Sequence, residues 1–495
     1  MTIRRPFLKA TCAALAVITA TAAAGQEARL VSTDGVTDFT GELVSFDGET
    51  YELRTNMGVL RIPANEVQCI GDPCPQVNEV NSTFRIAGAP SILRFVMPEM
   101  LDAYSLEVDT DIDRGQAASG DLLFQLLSFE GDVVADVELS EADAATAIGD
   151  LAEGSASISV TTRPVSDAEA RLMAGGDRRA VEQRGLERVI GLDGLIAIVG
   201  ENVTVETLTR AQLAGILSGR ITNWSEVGGD DLPISAFTRE DASEVRTMAD
   251  SLIMGRAGRP IGANVISVDS NDGVVSAVST FPNSIGIASI AALGDGGRAL
   301  GIPDACGVPV MPSEFAIKTG TYPLAAPVYI YESPNALPVH ARGLVDFAQS
   351  TEGQRVMQRT GYVDLLPRSA PEGIAPVDAI SDGATQLSTT IDVDHGGGID
   401  TRDQSELGHL AQYIQSGQAD GQRVTLVGVA ETEGAGTQAA QRVLASLFGG
   451  NTDIEENLTI SFEVASSTFD EAQVCSAQLD DAAARVQVWV APLNG

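Results

Sequence analysis

Histidine is scarce in this 495-residue chain, cysteine is nearly so, and basic residues are heavily outnumbered by acidic ones. The three histidines are His340, His395 and His409, and none stands in a Gly-x-Ser-x-Gly elbow or a His-Glu-x-x-His spacing. Neither a Walker A loop nor a dinucleotide fingerprint occurs, so the usual machinery of hydrolases, zincins, NTPases and nucleotide-dependent oxidoreductases is missing. His395 lies in a Gly-rich turn and His409 in a helical pattern, and all three are expected at the surface. The chain is read as a non-enzyme with no cofactor. Lys and Arg number 31 against 68 Asp and Glu, a formal charge of -37 at pH 7. That balance excludes nucleic acid and anionic lipid as partners, because both need a basic footprint.

Long apolar runs are also missing. Residues 13–18 form an apolar run far shorter than the ~20 residues that span a bilayer. It follows Arg4, Arg5 and Lys9 and precedes Ala22-Ala23-Ala24, the layout of a signal peptide over residues 1–24. Arg4-Arg5-Pro6-Phe7-Leu8-Lys9 has the look of a twin-arginine signal, but Ile3 replaces the usual Ser or Thr, so export by the Sec or the twin-arginine route is equally open. Cys12 leaves with the signal, and four cysteines remain. The Gly-Asp-Pro turn between Cys69 and Cys74 predicts a local disulfide, which leaves Cys306 to pair with Cys475. A metal site is not expected: the Cys69/Cys74 spacing exceeds that of a CxxC knuckle, no histidine lies near, and an oxidising compartment favours disulfides.

Over residues 28–75 apolar and polar residues alternate in short bursts. Residues 41–46, 50–54 and 59–62 read as strands separated by turns at Asp47-Gly48 and at Asn56-Met57-Gly58, which predicts a small SH3-like β-barrel of about five strands. It is a docking module or simply an N-terminal cap.

Gly191 to Arg246 carries the most information. After a Gly191-Leu192-Asp193-Gly194 turn, residues 195–199 are uninterruptedly apolar, as in a strand buried on both faces of an α/β sheet. Thr209 caps a helix with Leu213, Ile216 and Leu217 on one face and Gly219 just past its end, and Trp224 follows in a tight Thr-Asn-Trp-Ser turn. A strand over residues 233–238 runs into Arg239-Glu240-Asp241-Ala242-Ser243, a loop that offers amides, a hydroxyl and a guanidinium to an anion. Leu208-Thr209, Gln212-Leu213, Ile216, Ser218-Gly219, Ile221-Thr222-Asn223-Trp224 and Val227-Gly228-Gly229, followed by Arg239 and Ser243, resemble the phosphate-binding (PstS-like) periplasmic solute-binding proteins of ABC importers.

The resemblance covers residues 82–370 and implies an α/β, two-lobed periplasmic-binding-protein fold of type II, hinged around one cleft. Phe84 to Gly88 is a strand ending in Gly88-Ala89-Pro90-Ser91; a helix follows over residues 92–104, with Leu93, Val96, Met100 and Leu101 inward. Residues 157–160 form a strand before Thr161-Thr162-Arg163. Residues 267–270, a helix through Val274 to Val278, residues 282–286 and a helical segment over residues 340–353 match the family's return into its first lobe. The resemblance implies that Ser91, Thr161, Thr162, Arg163, Arg239 and Ser243 hold the anion, with Arg239 as the cleft arginine. Two departures stand out. Ser243-Glu244-Val245 replaces the family's Ser-Gly-Thr, and Arg163 stands where phosphate-specific members carry an Asp that accepts the proton of hydrogen phosphate. Loss of that acceptor relaxes discrimination against sulfate. Glu244 either turns outward, pairs with Arg246, or enters the cleft.

Residues 371–386 read as a Gly/Pro/Asp-rich linker. Residues 387–495 then alternate strands (389–393, 424–428, 459–462, 485–490) with helices (401–414, 438–448). This resembles the OmpA-like peptidoglycan-binding domain, with Gly428-Val429-Ala430-Glu431 in place of Gly-His-Thr-Asp, Arg442 as the helix arginine, and Arg485-Val486-Gln487-Val488 as the last strand. By that resemblance Glu431 and Arg442 grip the diaminopimelate of the peptidoglycan stem. The expectation is a periplasmic receptor for inorganic phosphate or a similar oxyanion, serving an ABC permease and held at the cell wall and outer membrane. The alternative is an envelope scaffold in which both sites are vestigial.

Overall fold

The computed structural model describes residues 27–32, 38–46, 50–55, 58–63, 67–70, 82–241, 243–255, 258–293, 296–304, 307–371, 383–447, 461–468 and 482–493. The chain divides after Glu79 into two compact units. The expected signal peptide, Cys74, Cys306 and Cys475 lie outside the described residues, so Cys69 is the one described cysteine and both expected disulfides remain expectations.

The first unit is an antiparallel sheet of β1 (Glu27–Ser32), β2 (Asp38–Phe46), β3 (Thr50–Thr55), β4 (Gly58–Pro63) and β5 (Val67–Ile70), in the order β4-β3-β2-β1-β5. The alternation that predicts strands also predicts which side chains turn inward: Ala28, Leu30, Tyr51, Leu53, Ile62 and Val67 form its small core. The expected barrel is described only as this five-stranded path, with no bridge joining β4 to β5 among the described residues.

In the second unit an eleven-stranded path is built from β6 (Ser82–Gly88), β7 (Asp111–Gln116), β8 (Leu122–Leu127), β9 (Val133–Glu141), β10 (Ile158–Thr161), β11 (Glu187–Val199), β12 (Ser235–Arg239), β13 (Val265–Val268), β14 (Ser284–Ser289), the short β15 (Arg298–Ala299), and, after the small pair β16 (Ile302–Pro303) and β17 (Pro309–Val310), β18 (Ala325–Glu332). β11 makes the path two-lobed. Its residues Glu187 to Gly194 pair with β18 in the first lobe, while Leu195 to Val199 pair with β14 in the second. The Gly191-Leu192-Asp193-Gly194 turn expected from the sequence is therefore corrected to continuous strand, which bends at a register shift between Val189 and Gly191. A Cβ at Gly191 would lie 2.7 Å from the end of the Met357 side chain and 3.2 Å from the Val363 carbonyl oxygen. β6 and β10 run parallel in the first lobe, β12 and β14 in the second.

The helices follow their predicted caps more closely than their predicted lengths. Thr209 and Gln212 form a capping box at the start of Arg210–Leu217, whose Leu213, Ile216 and Leu217 are buried. Residues 92–104 are not one regular helix: Ile92–Val96 is a π segment that leads into the α-helix Met97–Glu107. The segment expected over residues 340–353 is two helices, Val339–Ala348 and Thr351–Arg359, because Ser350 accepts the Gly353 amide and starts a new one.

The last part of this unit is β19 (Thr385–Asp394), helix Thr401–Gln415, β20 (Gln422–Ala430), helix Glu433–Leu447, β21 (Ser461–Thr468) and β22 (Ala482–Pro492), with sheet order β19-β22-β20-β21. β20 and β21 are parallel and the other pairs antiparallel. β19 begins at Thr385, so Thr385 and Gln386 belong to the sheet and not to the linker. His340 and His409, expected at the surface, are 5% and 3% exposed. The Tyr104 hydroxyl sits 3.2 Å from His340 Nδ1, and burial holds both histidines below the ordinary imidazole range.

Candidate functional site

Parallel strands deliver their C-terminal loops to one edge of a sheet, which is where open α/β sheets place ligands. Here Ser91 follows β6, Thr161 ends β10 and Thr162 follows it, Arg239 ends β12, and Ser289 ends β14. The two lobes thus contribute Ser91 and the Thr161 loop from one side and Arg239, Ser243 and Glu244 from the other.

Ser243 begins the helix Glu244–Met248 as its N-cap, with its Oγ accepting from the Arg246 amide at 3.2 Å and donating to the Glu240 carbonyl at 2.8 Å. This cap sends the side chain of Glu244, the first helical residue, toward the opposite lobe. Glu244 is 4% exposed, and its carboxylate accepts from the Ser91 amide at 3.0 Å and from the Ser91 hydroxyl. Arg246 is not its partner, since that guanidinium pairs with Asp241 at 2.9 Å and Asp250 at 3.5 Å. Of the three orientations open from the sequence, Glu244 takes the one into the cleft.

The other expected residues divide. Thr161 and Thr162 are buried and line the same small cavity as Glu244, together with Ala89, Pro90 and Asp143, and the Thr161 hydroxyl donates to the Arg163 carbonyl at 2.8 Å. Arg163 is drawn to Glu169 through two hydrogen bonds, at 2.9 and 2.6 Å. That bond raises its pKa, while burial pushes the Glu169 carboxyl up and Arg163 and Ser166 outweigh it, leaving Glu169 below the carboxylate range. Arg239 donates one Nη to Glu240 at 3.0 Å, and its Nε is buried without a hydrogen-bond partner. Glu431 and Arg442 are exposed, and no ion pair joins them among the described residues; the Arg442 guanidinium covers Gly397, where a Cβ would fall 0.9 Å from its Nη1.

Three residues of the cleft escaped the sequence reading. Asp193 on β11 is 2% exposed and accepts from Ser289 Oγ and from the Gly194 amide, both at 2.7 Å. Burial, with a smaller push from Glu244, raises its carboxyl to about 6. The Tyr362 hydroxyl lies 3.4 Å from Ser91 Oγ, and burial followed by the charges of Asp193 and Glu244 drives it well above the phenol range. The signal for Asp193 was in view, since an acidic residue inside a doubly buried strand has to be paired or functional; the flanking glycines disguised it as a turn. Nothing in the local pattern marks Tyr362 or Ser289.

Residues 115–352 match the PBP superfamily domain. That is a family of solute-binding, non-catalytic domains, and the matched stretch holds the Thr161 loop, Asp193, Arg239 and Glu244. The chain is similar to the phosphate-binding protein PstS of Borreliella burgdorferi, 25% identical over 197 residues that cover 38% of this chain and 69% of that one. Similarity to the phosphate-binding protein PstS of Bacillus subtilis is 26% over 233 residues, 47% of this chain and 72% of that one. Among solved structures it is similar to an ABC-type phosphate transport receptor from Vibrio cholerae, with TM-score 0.45 and 23% identity over 57% of this chain and 100% of that one. No helix among the described residues is long and apolar enough to cross a membrane.

Proposed function

We propose that this protein is an exported solute-binding receptor that captures phosphate or a related oxyanion between its lobes and delivers it to the permease of an ABC importer. The observation that supports the reading is that Thr161, Thr162 and Glu244 line one small cavity, with Ser91 of the opposite lobe hydrogen-bonded to Glu244, in a chain whose residues 115–352 match the PBP superfamily domain. A desolvated oxyanion needs several hydroxyl and amide donors and a cation, and Ser91, Thr161, Thr162, Ser243 and Arg239 are residues of those types. The relatives that bear the name phosphate-binding protein PstS support the same substrate class. Arg163 is a weaker member of the set, because Glu169 holds it. We further propose that the part from β19 onward is an OmpA-like domain that keeps the receptor at peptidoglycan in the periplasm. Its strand order and its two exposed charges, Glu431 and Arg442, support that reading.

The envelope-scaffold reading is favoured by one observation, the hydrogen bonds from Ser91 to the Glu244 carboxylate within the anion cleft. Calorimetric titration of the mature protein with phosphate, with sulfate in parallel, separates the two. The receptor reading expects micromolar binding, about 8 kcal/mol, that Arg239→Ala abolishes. Absence of heat with either anion would instead favour the scaffold, and a peptidoglycan pull-down would then test whether the second site is vestigial too.

A further inference from the structure

The contact of Glu244 with Ser91 joins residues 153 positions apart and crosses from one lobe to the other. Two features give it weight beyond an ordinary interlobe bond. The Glu244 carboxylate receives both donors of Ser91, its amide and its hydroxyl, so it has the charge, the oxygen geometry and the partners that a captured oxyanion would have. Beside it, the cavity lined by Ala89, Pro90, Asp143, Thr161, Thr162 and Glu244 has a volume of about 10 Å³, room for the centre of a single water and not for a tetrahedral anion. Other groups near this point are Asp193 and Tyr362, which are buried, Arg239, whose Nε lacks a hydrogen-bond partner, and Arg94, which is paired with Glu141 and interacts with Glu244 through its charge. Two negative charges a few ångströms apart in so dry a site repel strongly, so a second anion and the ionised Glu244 exclude one another.

We propose that Glu244 is an internal ligand of the cleft: its carboxylate occupies the oxyanion position, latches the lobes shut through Ser91, and sets selectivity by making any solute anion compete with it. The displacement step rests on the receptor reading given above; the latch does not. When Glu244 swings out, Ser91, Thr161, Thr162 and Arg239 become available together, so capture and release of the latch are one exchange of anions.

The test uses the full mature chain as wild type, Glu244→Ala, Glu244→Gln and Ser91→Ala. Lobe separation is read without ligand by small-angle X-ray scattering, and phosphate affinity by calorimetry. The latch predicts a more open ligand-free form for Glu244→Ala and for Ser91→Ala, and phosphate Kd at least about tenfold lower in Glu244→Ala than in wild type, with Glu244→Gln improved in the same direction. Ser91→Ala removes the hydroxyl and leaves the amide bond to Glu244, so it should open less than Glu244→Ala, and Glu244→Gln carries the scattering test if Glu244→Ala does not fold. Unchanged scattering in Ser91→Ala and in whichever Glu244 variants fold overturns the latch. An unchanged Kd in Glu244→Ala overturns the competition. Opening without phosphate binding in any variant keeps the latch and removes the receptor reading, whereas equal phosphate binding in every variant without opening keeps the receptor reading and removes the latch.

Discussion

Asp193 accepts from Ser289 and from the Gly194 and Ile290 amides inside a strand with almost no exposure, and burial outweighs these bonds with a measurable consequence. Its carboxyl is raised to about 6 from an ordinary 3.8, so the folded protein binds this proton more tightly than the unfolded chain does. Stability from this group is fully present below about pH 4 and is lost as pH rises through 6. A shift of this size corresponds to roughly 3 kcal/mol between the two limits, an upper bound for one site. Asp193→Asn keeps an oxygen for Ser289 and the Gly194 amide but cannot ionise. The variant should therefore be more stable than wild type at pH 7.5 by roughly 1–2 kcal/mol, since part of the gain is offset by a weaker neutral hydrogen bond. The gap should close toward pH 4. Urea unfolding at the two pH values checks this, and a gap independent of pH would mean that Asp193 does not titrate in this window.

Between elements, one close approach in the last part of the chain is backbone on backbone. A Cβ at Gly428 on β20 would meet the Gly436 carbonyl oxygen at 1.8 Å, and a Cβ at Gly436 in the helix Glu433–Leu447 would meet the Gly428 oxygen at 2.2 Å. Gly436→Ala gains about 1 kcal/mol of helix propensity, but it must push the helix off the sheet, an overpacking that costs typically 1–3 kcal/mol and more where backbone cannot move. We expect net destabilisation, read as a lower thermal midpoint and faster amide exchange in β20 and β21; an unchanged midpoint would show that the helix shifts freely. What the sequence makes legible at this scale is chemistry that acts locally. Thr209 is a cap read directly from residue type, and Ser243 and Ser270, read only as loop residues, prove to cap their helices by the same chemistry. The π segments Ile92–Val96 and Ala249–Met254, which flank Ser91 and Glu244, carry no such signature, because an extra residue per turn is set by tertiary packing. Continuity of β11 through Asp193 was hidden for a similar reason: only its pairing with two different neighbours decides that glycine there is strand and not turn. The place of Arg239 at the end of a strand and of Ser243 before a helix was legible in the pattern, but the direction of Glu244 was not, since it depends on a serine 153 positions away.

At the scale of the molecule, the part after Glu79 clusters as one compact unit, in which the expected binding domain and the later strands meet. The Cys306–Cys475 bond expected from the sequence lies outside the described residues; among the described residues a set of charges at the end of a short helix joins the two parts. Glu314–Lys318 leaves C-terminal carbonyls without intrahelical partners. Arg402 donates to the Lys318 carbonyl at 2.6 Å, and Arg485 and Thr390 donate to that of Thr319 at 3.4 and 3.2 Å. Each arginine is oriented by an acid of its own module, Arg402 by Glu406 and Arg485 by Asp392, so the cations reach the helix end already positioned. On the other side Lys318 is 3% exposed and is fixed by Asp364 and the Leu366 carbonyl, both at 2.7 Å. Burial lowers the Lys318 pKa, and Lys318 with Arg368 keeps the Asp364 carboxyl below its ordinary range against its own burial. Hydrogen bonds from charged donors to such carbonyls contribute about 1.5–3 kcal/mol each, and cations suit the negative end of the helix dipole. Scanning calorimetry of the full chain should therefore show residues 82–371 and 383–493 unfolding together. The double variant Arg402→Ala, Arg485→Ala should split that transition or bring the later strands down to a lower temperature, while Arg442→Ala, on an exposed face, should leave it in place. A double variant whose endotherm neither splits nor moves would mean that these carbonyls do not hold the two parts together, and that the receptor swings on its linker after all.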